Sequence, residues 1–424
     1  MSIRLLAPLL VGSLAALGCG SSEGDPANGG PGDAAPDVAA PDVAEEVASE
    51  ASTDAVVDGG ATDAPAACPR TPSPEGAARK VVVSHPFDAS AKKTGAMEVL
   101  DLAPDGTLTR GSKTFALGAA AFEPMAFTPD GKIGLVPEDD GTLGVFRFDD
   151  AGEVTVVHAA FKGSFYASRV VMHPDGQRAI VVDSNTVENG GGLYVVDIGC
   201  DGALTDRGKL VTAKSWQVFA WLTSGARAIA TGGPGLGSPD TVDTHLLDWK
   251  APPSLVASTA AFPDREAIPS SIAIMPDDKL ALVADNGILV GNRVAVVSIE
   301  GDKLVPRQVF TLDNPATVVA SPYGNAALVL NSDGKDGYTL FKTQASPTAP
   351  FVNAGKLAYV HGKPQLPYVA ALIARGPLKG RVLIGENLAV RQLQFRTDAT
   401  VADVSKLAYP DGYVNIVGTV GVQP

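Results

Sequence analysis

From Lys80 to the end of the chain, short apolar runs rich in Val, Ile and Ala alternate with polar turns. The stretch "HPDGQRAIVVDSN", beginning at His173, returns in altered form as "TPDGKIGLVPEDD", "MPDDKLALVADNG" and "SPYGNAALVLNSD". The repeating unit is about 44–52 residues long, a length that marks a repeat architecture, with openings near Glu123, Ser168, Gln217, Pro269, Pro315 and Leu366. Each unit reads in the same order: a short apolar strand, often a Pro-Asp-Gly turn, a stronger strand, a polar loop, a third strand, a turn and a fourth strand. Pro fixes the first corner of a type I turn, Asp suits the second, and Gly follows. The third full unit, "QVFAWLTSGARAIATGG", has no such Pro-Asp-Gly turn.

Four strands at this period predict a propeller blade. Six units are complete. A seventh is divided: "KVVVSHP", "GAMEVLDL" and "TLTRGSKTFAL" supply three strands at the start, and "DGYVNIVGTV", residues 411–420, supplies one at the end. Pairing the two ends leaves no open sheet edge there. The expected fold is therefore all-β: a seven-bladed β-propeller of four-stranded antiparallel blades, closed by its N- and C-terminal strands. Six or eight blades are the lesser alternatives, and β-helix repeats are much shorter.

The strings "PDGQRAIVVDSNTVENGGGLYVVDI" and "PDDKLALVADNGILVGNRVAVVSI" resemble the YVTN-type β-propeller repeat, over roughly residues 78–420. The tetrapeptide that names that family is absent. The resemblance implies a propeller whose relatives include lactonases of the 6-phosphogluconolactonase type and surface proteins with no known chemistry, so it speaks to fold more than to function.

The N-terminus changes the picture. "MSIRLLAPLLVGSLAALGC" has one positive residue, Arg4, then an apolar run too short to span a bilayer. Its end, "ALGC", resembles the lipobox of bacterial lipoproteins, which implies cleavage after residue 18 and acylation of Cys19. Several acyl chains on one residue hold firmly to a membrane where one does not. Gly20 at the next position resembles lipoproteins sent to the outer membrane. Residues 20–67 hold eleven acids and no Lys or Arg. Such a segment cannot bury enough apolar surface to offset its entropy, so a disordered tether is expected, spanning roughly 35–40 Å as a coil. The expected organisation is 1–18 signal peptide, 19–67 lipidated Cys and tether, and 68–424 propeller. The expected location is the cell envelope, hung from the outer membrane and facing the periplasm or the cell surface.

Net charge is −14, with 45% hydrophobic and 19% charged residues. Most of the excess lies in the tether and the propeller is close to neutral, which argues against nucleic acid as a partner. A monomer is expected.

Routine motifs for phosphate loops, zinc helices and nucleophile elbows are absent. "DSNTVENG" and "NSDGKDG" resemble calcium loops, but Val187 and Lys335 stand at ligand positions. No cofactor is expected, with calcium the one possibility. The loops between second and third strands should share one face and collect His85, Glu138, Asp139, Asp140, Asp183, Asn185, Asp285, Asn286, Asn331, Asp333, Glu386 and Asn387. Around one mouth they would form an acidic, amide-rich ring suited to a small molecule, a glycan or a protein partner. Equally, Asp and Asn favour strand ends for local reasons. His173 belongs to a turn on the opposite face, His158 and His245 to outer or third strands, and His361 to a loop, which leaves His85 as the histidine of the mouth. With Cys19 acylated, Cys68 and Cys200 remain in an oxidising compartment and should both lie on the turn-bearing face, where a disulfide fits. The function this supports is a lipid-anchored binding scaffold, with lactonase-like hydrolysis through the polar mouth as the alternative.

Overall fold

The computed structural model describes residues 68–88, 96–118, 124–138, 141–157, 167–183, 191–210, 218–232, 243–249, 253–262, 267–286, 292–332 and 337–424. They belong to one compact unit, Ala67–Pro424. The signal peptide, Cys19, the tether, Asp139, Asp140, His158, Asn185 and Asp333 lie outside the described residues.

Seven four-stranded antiparallel sheets make up the described part of the chain. We number them blades 1–7 and their strands from the centre outward. Blades 2–7 run in order over 126–156, 167–209, 218–259, 269–311, 315–356 and 369–408. Blade 1 joins the termini. Its inner strand is Val420–Val422, paired with Arg79–His85, which is followed by Ala96–Leu102 and Leu108–Ala116. The inner strands of every successive pair of blades touch, blade 7 with blade 1 included, so the ring is closed.

The core is divided accordingly. Each of seven apolar clusters fills the space between two adjacent blades, one cluster per interface. At the closing interface Val81, Val83 and Leu100 pack against Val369, Leu383 and Val390, with Val420 and Val422 between them. The second strands are buried on both sides; in Ala326–Asn331, for example, all six residues are buried. That explains why they read as continuous apolar runs rather than alternating ones.

The inner hairpins repeat closely. Gly131, Gly176, Gly225 and Gly324 have φ of 69°, 70°, 71° and 72° at the same place in blades 2, 3, 4 and 6. Blade 4 therefore does have the turn that its sequence lacks in name: Thr223-Ser224 replace Pro-Asp, and Gly225 N–H donates to Leu222 O at 2.9 Å. Blade 5 has Asp278 at this position, with φ 59°. A non-glycine residue there is strained, and its carboxylate accepts from Thr223 N–H at 2.9 Å and Thr223 Oγ at 2.9 Å in the next turn. A second recurring feature is a bulge between the third and fourth strands of every blade except the second. Bulges sharpen local twist.

The closing strand lies later than expected. Residues 411–419 form a 3-10 turn, Tyr413–Asn415, and a crossing segment, and the strand itself is Val420–Val422. The chain must travel from the outermost strand of blade 7 to the innermost place in blade 1, and that distance consumes the residues before Val420.

On the turn-bearing face, Cys68 and Cys200 form a disulfide, with Cα atoms 5.4 Å apart. From there residues 68–78 run as a strap under blades 3 and 2 toward blade 7. The Arg70 guanidinium, 3% exposed, donates to Gly176 O, Ile198 O and Gly199 O and pairs with Asp130. Ser73 bonds Pro129 O and Asp130 O, and a Cβ at Gly76 would lie 3.7 Å from Pro377 of blade 7.

Candidate functional site

The eight described residues expected at the mouth do share one end of the ring, the end opposite the turns. Their side chains are engaged mainly within their own blades. A residue at the end of a second strand, or one place past it, bonds a residue near the start of the third, or one place before it, in five blades: His85 with Glu98 (3.0 Å), Glu138 with Thr142 (2.7 Å), Asp285 with Arg293 (2.9 Å), Asn331 with Thr339 (3.0 Å), and Glu386 with Arg391. Each couple clasps the mouth of its own hairpin, where the ladder ends and backbone groups would otherwise face one another unsupported.

Three of these couples grow into networks. In blade 7, Glu386, Arg391 and Asp403 have no exposed side-chain surface. Tyr338 of blade 6 donates its hydroxyl to Glu386 at 2.7 Å, and Lys406 lies 3.4 Å from the same carboxylate. Asp403 accepts from Arg391 and from Val360 N–H and His361 N–H, pinning the connection between blades 6 and 7. Burial works against the charged Arg391 guanidinium, yet Glu386 and Asp403 raise its pKa above the usual arginine value. Burial and the adjacent Glu386 push the Tyr338 hydroxyl well up.

In blade 1, Glu98 accepts from Arg110 at 2.7 Å as well as from His85. His85 also reaches Ile416 O at 3.2 Å and packs edge-on against Tyr409. Burial opposes the charged form of Glu98, but the bonds from His85 and Arg110 hold its pKa below the normal carboxylate value. In blades 4 and 5, Asp243 caps Ala261 N–H and Phe262 N–H while Asp285 takes Ile268 N–H, so the two acids hold both ends of one connection. Burial, with Asp285 nearby, raises the pKa of Asp243.

The expected open ring of acids is thus corrected for part of its membership. His85, Asp183, Asp285, Asn331 and Glu386 are buried. A charge at a strand end in this fold is driven to find a partner because the sheets on either side exclude water. The sequence reading missed Glu98, Arg293 and Arg391. Each is a buried charge within the first three residues of a third strand, "AMEVLDL", "RVAVVSIE" and "AVRQLQF", and a charge at that place beside apolar neighbours is itself a signal of a buried partner.

Asn286, Asn387 and Glu138 remain half-buried. Glu138 has the most constructed setting. It accepts from Thr142 and from Gly118 N–H at 3.1 Å. A Cβ at Gly118 would lie 1.7 Å from one carboxylate oxygen, and a Cβ at Gly144 would lie 2.2 Å from the other. Two glycines therefore make the space this acid occupies. Of the other histidines, His173 accepts from Asp175 N–H and faces Gly225 O on the turn side, His245 is buried in a third strand, and His361 reaches Val404 O. Among the described residues no group of three or more His, Cys, Asp or Glu is placed to hold a metal ion, and no helix is long and apolar enough to cross a membrane.

The class these observations define is a seven-bladed β-propeller with internally braced blades and a polar mouth. No protein-family model and no curated protein matches the sequence. Solved structures do match. A protein assigned as a candidate 6-phosphogluconolactonase from Bacteroides uniformis aligns with a TM-score of 0.61, 14% identity, 81% of this chain and 99% of its own. The periplasmic gluconolactonase of Pseudomonas aeruginosa gives 0.59, 14%, 82% and 99%, and a candidate 6-phosphogluconolactonase from Bacteroides fragilis gives 0.58, 14%, 81% and 98%. At this identity the likeness establishes the fold.

Proposed function

We propose that this chain is a lactonase-type hydrolase of the cell envelope, acting on a cyclic ester at the mouth of the ring, with Glu138 as its acid–base residue. What carries the reading is the likeness to propellers described as gluconolactonases, which extends over nearly the whole length of those chains, together with a carboxylate seated between two glycines. Glu138 would take a proton from water as the water oxygen bonds the lactone carbonyl carbon. The ring C–O bond then breaks, and the proton passes to the departing alkoxide to give the open hydroxy acid. The disulfide, the N-terminal segment and the periplasmic neighbour support an envelope location, and Cys19 is the proposed point of lipid attachment.

The test is turnover of glucono-δ-lactone and a lactone panel by the full chain, followed by pH-stat. We expect saturable hydrolysis, reduced about 10²-fold or more in Glu138→Gln. Absence of turnover across the panel overturns the proposal. A second reading, a lipid-anchored binding scaffold without catalysis, is favoured by one observation: most of the mouth-side acids are committed to partners in their own blades. Binding without turnover would select it.

A further inference from the structure

Among the large apolar side chains, Tyr413 is 57% exposed, and it stands on a 3-10 turn, Tyr413–Asn415, none of whose residues is buried. The turn belongs to the segment that crosses the mouth end from blade 7 to blade 1. That segment is firmly held just beyond it: Val417 N–H donates to Asn387 O (3.0 Å), Gly418 N–H to Ser84 O (2.9 Å) and Thr419 N–H to Ser84 Oγ (2.9 Å). Phe87, two residues past the end of the second strand of blade 1, stacks on Tyr413 with ring centroids 4.3 Å apart and planes at 25°. Val414 beside it is 44% exposed. The polar residues adjoining the two rings in sequence are Asp88, Asp411 and Asn415, none of them basic.

An aromatic side chain left this exposed, yet oriented by a second ring behind it, has already lost much of the freedom that binding would otherwise cost it. We propose that Tyr413 and Phe87 form a sugar-binding platform on the rim of the mouth, receiving one pyranose ring of a neutral glycan on the outer face of Tyr413. The axial C–H bonds of a pyranose present a weakly positive flat face to the negative face of the aromatic ring. Its equatorial hydroxyls then project sideways, toward carboxylate and amide groups that can accept and donate. The alternatives fit less well. A quaternary ammonium ion is best held by rings on several sides, whereas two near-parallel rings offer one surface. Phosphates and nucleic acids need basic groups, and among the described residues none adjoins the two rings in sequence. The inference is separate from the hydrolase reading, because it concerns binding on the rim and requires no turnover.

The experiment uses the full chain with maltohexaose, cellohexaose and chitohexaose as probes, and methyl β-D-glucopyranoside as the single-ring control, followed by calorimetry and saturation-transfer NMR. At least one hexasaccharide should bind saturably, with saturation concentrated on the C–H protons of one ring face. Tyr413→Ala should weaken that binding about tenfold or more, the equivalent of about 1.4 kcal/mol. Tyr413→Phe should stay within about threefold, since it keeps the ring, and Glu138→Gln should bind as the unaltered chain does. Melting curves of the Tyr413 variants should match the parent, because this ring is not part of the core. Failure of all three hexasaccharides to bind, or unchanged affinity in Tyr413→Ala, overturns the proposal. Loss of turnover with retained binding leaves it standing and removes only the hydrolase.

Discussion

Replacing both Cys68 and Cys200 by Ser tests how the strap is retained. The two residues are 132 positions apart. Cross-linking a loop of that size removes unfolded-state entropy equivalent to about 5 kcal/mol at 25 °C in the chain-entropy model. Measured effects of cross-links are often smaller than the model gives. The strap keeps other attachments in the variant, chiefly the Arg70 bonds and the Ser73 pair with blade 2. Those attachments leave the native state intact, so the loss should arise mainly from a freer unfolded chain. We therefore expect a loss of about 2–5 kcal/mol, measured as the change in free energy of guanidinium unfolding. The oxidised parent treated with dithiothreitol should reproduce it. Trypsin gives a local readout. The bond after Arg70 should resist cleavage in the parent, where the guanidinium is 3% exposed, and become cleavable in the variant if the strap frays. A loss under about 1 kcal/mol, with Arg70 still protected, would show that the strap holds itself and that the cross-link constrains little.

Other expectations follow from the same geometry. Arg391→Met leaves Asp403 buried without its guanidinium and Glu386 with only the 3.4 Å contact from Lys406, and should cost about 3–5 kcal/mol in denaturant unfolding. Glu98 has a folded pKa below its unfolded value, so its contribution is present above the unfolded carboxylate range and lost as pH falls through the lowered value. Melting temperature followed from pH 7 down to about 3 should accordingly drop more steeply in the parent than in Glu98→Gln. Ala399 has φ 60° in the turn before the last strand of blade 7. Ala399→Gly should relieve that conformation and gain about 0.5–1 kcal/mol, after allowing for the greater flexibility of glycine when unfolded.

The architecture was legible because each blade meets the same packing requirement, and the periodicity of apolar runs records it. Where legibility failed, the cause was either a substitute residue or a distant partner. The turn of blade 4 went unrecognised because Gly225 alone enforces its shape, while Pro and Asp merely favour it. The closing strand was placed too early because the apolar character of "YVNIVG" cannot distinguish a ladder from a crossing. Of the residues expected to line a mouth, His85, Asp183, Asp285, Asn331 and Glu386 are buried, which the sequence did not announce. Glu386 meets Tyr338 across 48 residues and an interface, and nothing local in "LIGENL" announces that. The couples within one hairpin are different. His85 and Glu98, or Asp285 and Arg293, are close enough in sequence to be paired once the hairpin itself is drawn.

The joining of the termini within blade 1 has a consequence for biogenesis. Val420–Val422 are synthesised long after Arg79–His85, and until they arrive that strand has no inner neighbour. A chain emerging N-terminus first holds an unpaired, apolar edge until its partner strand is made, and such edges recruit other strands. Chaperoning would matter most in that interval, and deletion of residues 420–424 should reveal itself in aggregation during folding before any defect in the finished protein.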